Sequence, residues 1–442
     1  MRSNKPSRLV LVLLLVAAVA GSLAATAAGA TFKVNKRGDH APGPCTADDC
    51  TLREAVIAAT AAPGSDKITL PSRKPYRLKR DIGLPAPDEV KGDLDFGLAF
   101  ALGNDFKLVH PGPGKAKIDA EASGDRAIEV KGNLELAKVV VRGGHAQSGS
   151  EAGGGIRVTD GVMIMRKSRV TKNAAPDVGG GVAATQGALI IRQSVIEDNE
   201  AGEGGGVFIG EEARLNLSRS TVAENRATSS GGGVSVWTAP FFGTSRLTSS
   251  TVAHNEADGD GGGVYTRAND LRVDNSTLTK NRATARGGGI YAYPDSDAQL
   301  NGVTIVRNRA DSDDSGAPDF GGGIFTDGGS DVVEMRNSLL AKNKGTGGAV
   351  NECDAPAPVG IASLGGNLLT STAGGCDFFT DPEDVLAGNP GIGPLAANGG
   401  PTQTIALKAA SPAIDEADGP TPRERDQRGV LRSDPDIGAY ER

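Results

Sequence analysis

One frame recurs along most of this chain, and it leaves few folds open. Its clearest copy runs from Gly204-Gly205-Gly206-Val207 through Leu215-Asn216-Leu217 to Ser220-Thr221-Val222-Ala223-Glu224-Asn225. The Asn returns at Asn173, Asn199, Asn225, Asn255, Asn281, Asn308 and Asn343, mostly 26 or 27 residues apart. Glycine triplets form a matching series, starting at Gly153, Gly179, Gly204, Gly231, Gly261, Gly287 and Gly321. A fixed period of this size is the mark of a solenoid, in which each copy is buried between its neighbours.

Aligning the copies on the Asn separates inward from outward positions. Three residues before it stand Val170, Ile196, Val222, Val252, Leu278, Ile305 and Leu340; eight before it stand Met165, Ile191, Leu217, Leu247, Val273, Leu300 and Met335. After each triplet the chain alternates, as in Ile156/Val158 and Val207/Ile209. Short period-two segments of this kind are strands. A helical repeat is disfavoured, since each interior Gly costs a helix about 1 kcal/mol, and the spacing of leucine-rich repeats is missing. The expected fold is all-β, a right-handed single-stranded parallel β-helix with coils about 4.8 Å apart. The Asn column reads as a ladder of corner amides, because stacked amides bond one another and Asn tolerates left-handed corner backbone. Ala201, Ala227, Ala257, Ala283 and Ala310, two residues further on, fit a crowded corner.

The termini add four expected parts. Residues 1–30 read as a secretion signal: Arg2, Lys5 and Arg8 precede the apolar run Leu9–Ala20, and Ala28-Gly29-Ala30 offers a cleavage site. Residues 31–105 form an N-terminal cap, 106–375 the coils and 376–442 a C-terminal cap. The apolar run is short for a membrane span, and no later stretch is a candidate, so the mature chain is expected outside the membrane, as a monomer. Its net charge of −7 argues against nucleic acid as a partner. Four cysteines in an exported chain imply two disulfides. Proximity favours Cys45–Cys50 and Cys353–Cys376, with two other pairings open.

Residues 50–62 carry the one clear helix signal of the mature chain. Thr51 and Glu54 make a capping box; Leu52, Ala55, Val56 and Ala59 form an apolar face; Pro63-Gly64 ends it. Such a helix would cover the open first coil. Cys50-Thr51-Leu52-Arg53-Glu54-Ala55 resembles the Cys-Ser-Leu-Arg-Glu-Ala motif of the CSLREA domain, found at the N-terminus of many exported bacterial β-helix proteins, with Thr in place of Ser. Asp66–Leu70 and Gly92-Asp93-Leu94-Asp95 look like the segments that accompany it. The glycine and Asn elements are similar to the repeats of polymorphic outer-membrane proteins and, in architecture, to the pectin-lyase-like superfamily. Beyond Cys376, turn-rich segments ending in Asp436-Ile437-Gly438-Ala439-Tyr440-Glu441 resemble the choice-of-anchor Q domain. These resemblances imply an exported β-helix, while the relatives include both adhesins and polysaccharide lyases.

Two sets of residues are candidates for function. Outward on the strand after each triplet stand Phe208, Tyr265, Tyr291 and Phe325, with Trp237 and Tyr293 two residues further along their coils. In a chain only 4% aromatic, such a row is suited to stacking on sugar rings, though stacked aromatics also stabilise neighbouring strands unaided. The insertion Trp237–Phe242 places more apolar surface on a loop. Asp258, Asp260, Asp311, Asp313, Asp314 and Asp319 gather near the same edge and could hold Ca²⁺, the one cofactor entertained; solvated acidic loops are the plainer reading. No nucleophile elbow, zinc motif or phosphate loop is present. The expectation is a secreted or surface-exposed, non-enzymatic protein that binds polysaccharide or another cell surface. A polysaccharide lyase or hydrolase using the acidic loops, or a structural spacer, are the alternatives.

Overall fold

The computed structural model describes residues 29–79, 93–97, 105–147, 152–294, 296–314, 321–328, 333–355, 360–376, 379, 381–418 and 424–442. The expected leader, except Gly29 and Ala30, and Asp319 lie outside these. The chain winds as a right-handed parallel β-helix, the sense that crossovers between parallel strands require. A 20-stranded sheet, a 12-stranded sheet and a 4-stranded sheet run along it. Register holds from coil to coil: Ile196 stands on Val170 and under Val222, and Leu217 on Ile191 and under Leu247. Both inward columns are fully buried, each side chain contributing about 1.5–3 kcal/mol by removal from water.

Two corners per coil use the same device, a left-handed residue followed by a buried polar one. At one corner the left-handed residues are Lys172, Asp198, Glu224, His254, Lys280, Arg307 and Lys342, with φ between 53° and 59°. The Asn follows each of them. This corrects the expectation that Asn itself takes the left-handed turn: the residue before it does, exposed in six of the seven coils and half-buried at Arg307, while the Asn amide goes inside. Asn199 Nδ2 donates to Asn225 Oδ1 at 2.9 Å, and the Asn199 backbone N–H donates to the same oxygen at 3.1 Å. The pattern repeats up to Asn343.

At the other corner, Lys167, Gln193, Arg219, Ser249, Asn275 and Asn337 are left-handed, and a serine follows each. Ser168, Ser194, Ser220 and Ser250 each donate a backbone N–H to the next serine's Oγ, at 3.1–3.2 Å. This column escapes the sequence reading because serine is common in loops; its period is the signal that would have found it.

The glycine triplets have a steric cause. Gly204 is left-handed, φ 61°. A Cβ on Gly205 would stand 2.2 Å from the Arg226 carbonyl oxygen, and one on Gly206 2.6 Å from that of Gly233. The coil is pinched here, where the triplet runs against the two-residue strand after the Asn, and only bare backbone fits.

The helix Leu52–Ala61 forms with both halves of its capping box. It packs against strands Thr31–Lys33, Asp66–Thr69 and Leu94–Phe96 at the start of the solenoid. Arg53, buried in it, pairs with Asp39 at 2.8 Å and donates to the Asp93 carbonyl at 2.7 Å. Cys45 is bonded to Cys50, and Cys353 to Cys376.

The C-terminal segment is placed differently from a lid on the last coil. Its hairpin, Ile392–Ala396 with Thr404–Leu407, lies along the side of the solenoid, over the outer face of the 12-stranded sheet. There Val306, Leu339, Ala341 and Leu368 point outward into a second core with Ile392, Ile405, Leu407, Ala413 and Ile437. Gln427 reaches back to Thr251, Thr277 and the Ser250 carbonyl. Asn275 and Asn337 donate to the carbonyls of Arg425 and Asp418. The segment straps the later coils and leaves the earlier ones uncovered.

Candidate functional site

The outward row after the triplets runs in register as Asp95, Glu129, Arg157, Ala183, Phe208, Ser235, Tyr265, Tyr291 and Phe325. Its aromatic part is not an open platform. Tyr291 is 1% exposed, and Phe208, Tyr265 and Phe325 are each 7% exposed. Tyr265 and Tyr291 stack at 5.2 Å, and Tyr291 and Phe325 at 5.8 Å, each pair with planes 5° apart. The cover comes from the columns on either side. Arg286, just before a triplet, lays its guanidinium over Tyr291 and Phe325, 4.9 and 5.3 Å from their centroids. Asp260 and Asp327 hold it from opposite sides at 2.9 and 2.6 Å, and Tyr291 also donates its hydroxyl to Asp327. Burial, with the Asp327 bond behind it, raises the Tyr291 phenol well above its ordinary value.

The column two residues further on behaves otherwise. It reads Trp237, Arg267, Tyr293 and Asp327 on successive coils. Arg267 lies 4.4 Å from the ring centroids of both Trp237 and Tyr293, a cation held between two aromatic faces. Tyr293 is 38% exposed, Trp237 half-buried and Arg267 exposed. Glu203 fixes the indole, accepting from Trp237 Nε1 at 2.7 Å and from Ser235 Oγ at 2.5 Å. Burial raises the Glu203 carboxyl above its ordinary value, against the pull of these bonds and of Arg267. On the insertion loop, Phe241 is 94% exposed. The six aromatics thus divide by position along the coil: Tyr265, Tyr291 and Phe325 form the buried stack, Phe208 is buried apart from it beside Ala183, and Trp237 and Tyr293 reach water around an arginine that the sequence reading did not single out.

The acidic candidates do not converge on one another. Asp258 bonds Arg226 at 2.5 Å, Asp260 bonds Arg286, and Asp314 bonds Arg309. Asp311 is buried at a left-handed turn, φ 47°, and Asp313 is exposed. Among the described residues, sets of three or more histidine, cysteine or carboxylate side chains with ligand atoms within 4.8 Å of one another lie elsewhere, at Asp93, Asp95 and Glu129, and at His40, Asp49 and Glu54. The second set includes the helix-capping Glu54. In the first set, burial pushes Asp93 up to about 8, with Asp95 and Asp125 adding to it and Arg126, at 3.4 Å, opposing. Burial likewise lifts Asp95 to about 6 against Lys131. Glu129, though burial acts to raise it, is held below its ordinary value by Lys131 at 3.1 Å, with Arg126 and Arg157 helping. Groups whose environments push their protonation apart are suited to acid–base work. Their signal was the alternate placement of Asp93 and Asp95; their meeting with Glu129 needed the coil register.

Residues 275–293 match the Chlamydia polymorphic membrane protein (Chlamydia_PMP) repeat. The matched stretch holds the left-handed corners at Asn275 and Lys280, the ladder residue Asn281, the Gly287 triplet, and both Tyr291 and Tyr293. No curated protein matches the chain. Among solved structures, the crystal structure of pectate lyase Pel9A is similar at 15% identity and a TM-score of 0.47, over 95% of this chain and 98% of that one.

Proposed function

We infer that this chain is an exported, surface-exposed β-helix protein that binds polysaccharide without cleaving it, through Trp237, Arg267 and Tyr293. The observation that carries this reading is the Arg267 guanidinium, open to solvent and held between two aromatic rings at 4.4 Å. Aromatic faces take the apolar faces of sugars, and the guanidinium supplies directed donors to their hydroxyls. The buried stack beneath makes the strip rigid, which keeps the ordering cost of binding low. Export is supported by the leader-like N-terminus, and a surface role by the repeat shared with a membrane protein family.

A second reading, polysaccharide lyase or hydrolase, has the Asp93, Asp95 and Glu129 set in its favour. One experiment divides the two. The purified mature protein is passed over immobilised neutral and acidic polysaccharides, with and without Ca²⁺, and the soluble polymers are assayed for new reducing or unsaturated ends. Retention lost in Trp237→Ala and Arg267→Ala, with no new ends, is the expected result. New ends that vanish in Asp93→Asn would replace binding with catalysis.

A further inference from the structure

On a different edge, the corner bearing Lys138, Lys167, Gln193 and Arg219 opens into a groove of about 540 Å³, lined also by Ala137, Arg166, Arg192 and Ser218. Five of these eight side chains are cationic and none is acidic, in a chain whose net charge is −7. The register builds the concentration. Ala137, Arg166, Arg192 and Ser218 stand directly over one another, and the next residue of each coil is the left-handed corner that turns its side chain outward. Arg166 is paired with Glu135 at 2.9 Å, and Lys138 donates to the Gly112 carbonyl at 3.3 Å. Lys167, Arg192 and Arg219 are exposed and have no carboxylate within ion-pair distance among the described residues.

The far end of the groove is set by the strap. Along the same corner, Arg219, Ser249 and Asn275 line a pocket with Glu424, Arg425, Asp426 and Gln427, so the cationic strip ends at Arg219, where the C-terminal segment begins. Four coils at about 4.8 Å spacing give it a length of about 14 Å. Like charges brought this close repel, and among the described residues only Arg166 has a carboxylate within ion-pair distance; an anionic ligand would offset the rest. We propose that this groove is a second binding site, distinct from the aromatic strip, for a linear polyanion carrying sulfate or phosphate groups along its length. Arginine forks and lysine ammonium groups are matched to such oxyanions. A chain with anionic groups recurring near the coil spacing meets one cation per coil.

The test uses the full mature protein and three probes: a sulfated dextran, linear polyphosphate, and inorganic sulfate alone, by titration calorimetry at low and at physiological salt. Binding of either polymer, far tighter than of free sulfate and weakened by salt, is expected, since exposed charges are screened; which polymer binds tells the two sources apart. Lys167→Glu/Arg192→Glu/Arg219→Glu should weaken it by roughly tenfold or more. These side chains are exposed, so the melting temperature should hold, and Arg192→Lys should restore part of the affinity. Trp237→Ala should leave this binding intact, which separates its failure from failure of the aromatic strip. No polymer binding at low salt, or equal binding by the triple variant, overturns the proposal.

Discussion

Asn343 Nδ2 donates to Glu352 Oε2 at 2.7 Å, so a carboxylate stands where the next coil's amide would have continued the column. The same carboxylate accepts from the backbone N–H groups of Asn343 and Lys342, at 3.2 and 2.9 Å, and from Thr370 Oγ1. Glu352 is fully buried, so each donor depends on it. Glu352→Ala should lower stability by about 2–3 kcal/mol, because buried donors lose a charged acceptor. Glu352→Gln should fall between, since one oxygen becomes a donor facing donors. Asn225→Ala, in mid-column, should cost about 1–3 kcal/mol. Urea titrations read all three; an unmoved midpoint for Glu352→Ala would show that the column needs no terminator.

The two-residue step between Tyr291 and Tyr293 predicts opposite phenotypes. Tyr291 is sealed under Arg286 and stacked on both sides, so Tyr291→Ala should destabilise by about 3–5 kcal/mol, as for other buried large aromatics. Tyr293→Ala removes only one rim of the Arg267 clamp and should leave the melting temperature nearly unchanged while reducing retention on polysaccharide. Thermal melts and affinity electrophoresis of the two variants side by side distinguish the roles. Equal stability losses would mean that Tyr293 belongs to the stack.

Asp93 gives a pH prediction whose sign follows from its raised value. A carboxyl lifted to about 8 in the folded chain binds its proton more tightly there than unfolded. Its favourable contribution is therefore full below the ordinary carboxylate range and is lost as pH rises through about 8. Asp93→Asn keeps the shape without the charge. The melting temperature of the native chain minus that of the variant should fall between pH 5 and pH 9, and a flat difference would mean that Arg126 keeps Asp93 ionised throughout.

What the sequence determined by itself is whatever depends on period or on a short local motif. The inward columns of Val222 and Leu217 and the Asn ladder were legible because one residue's environment is its own image a coil away, and the helix cap at Thr51 and Glu54 because both partners lie three residues apart. Repetition made a long-range contact readable as a local pattern. Only the tertiary structure decided which outward residues meet water. Whether Tyr291 is open depends on Arg286, Asp260 and Asp327, which reach it from other columns and other coils. Whether Leu339 faces solvent depends on a segment that folds back from residues 392–407. The bare strip of Lys167 and Arg192 exists because that segment reaches this corner only at Arg219. Those outcomes rest on non-repeating side chains brought together across the surface, and no period in the chain encodes them.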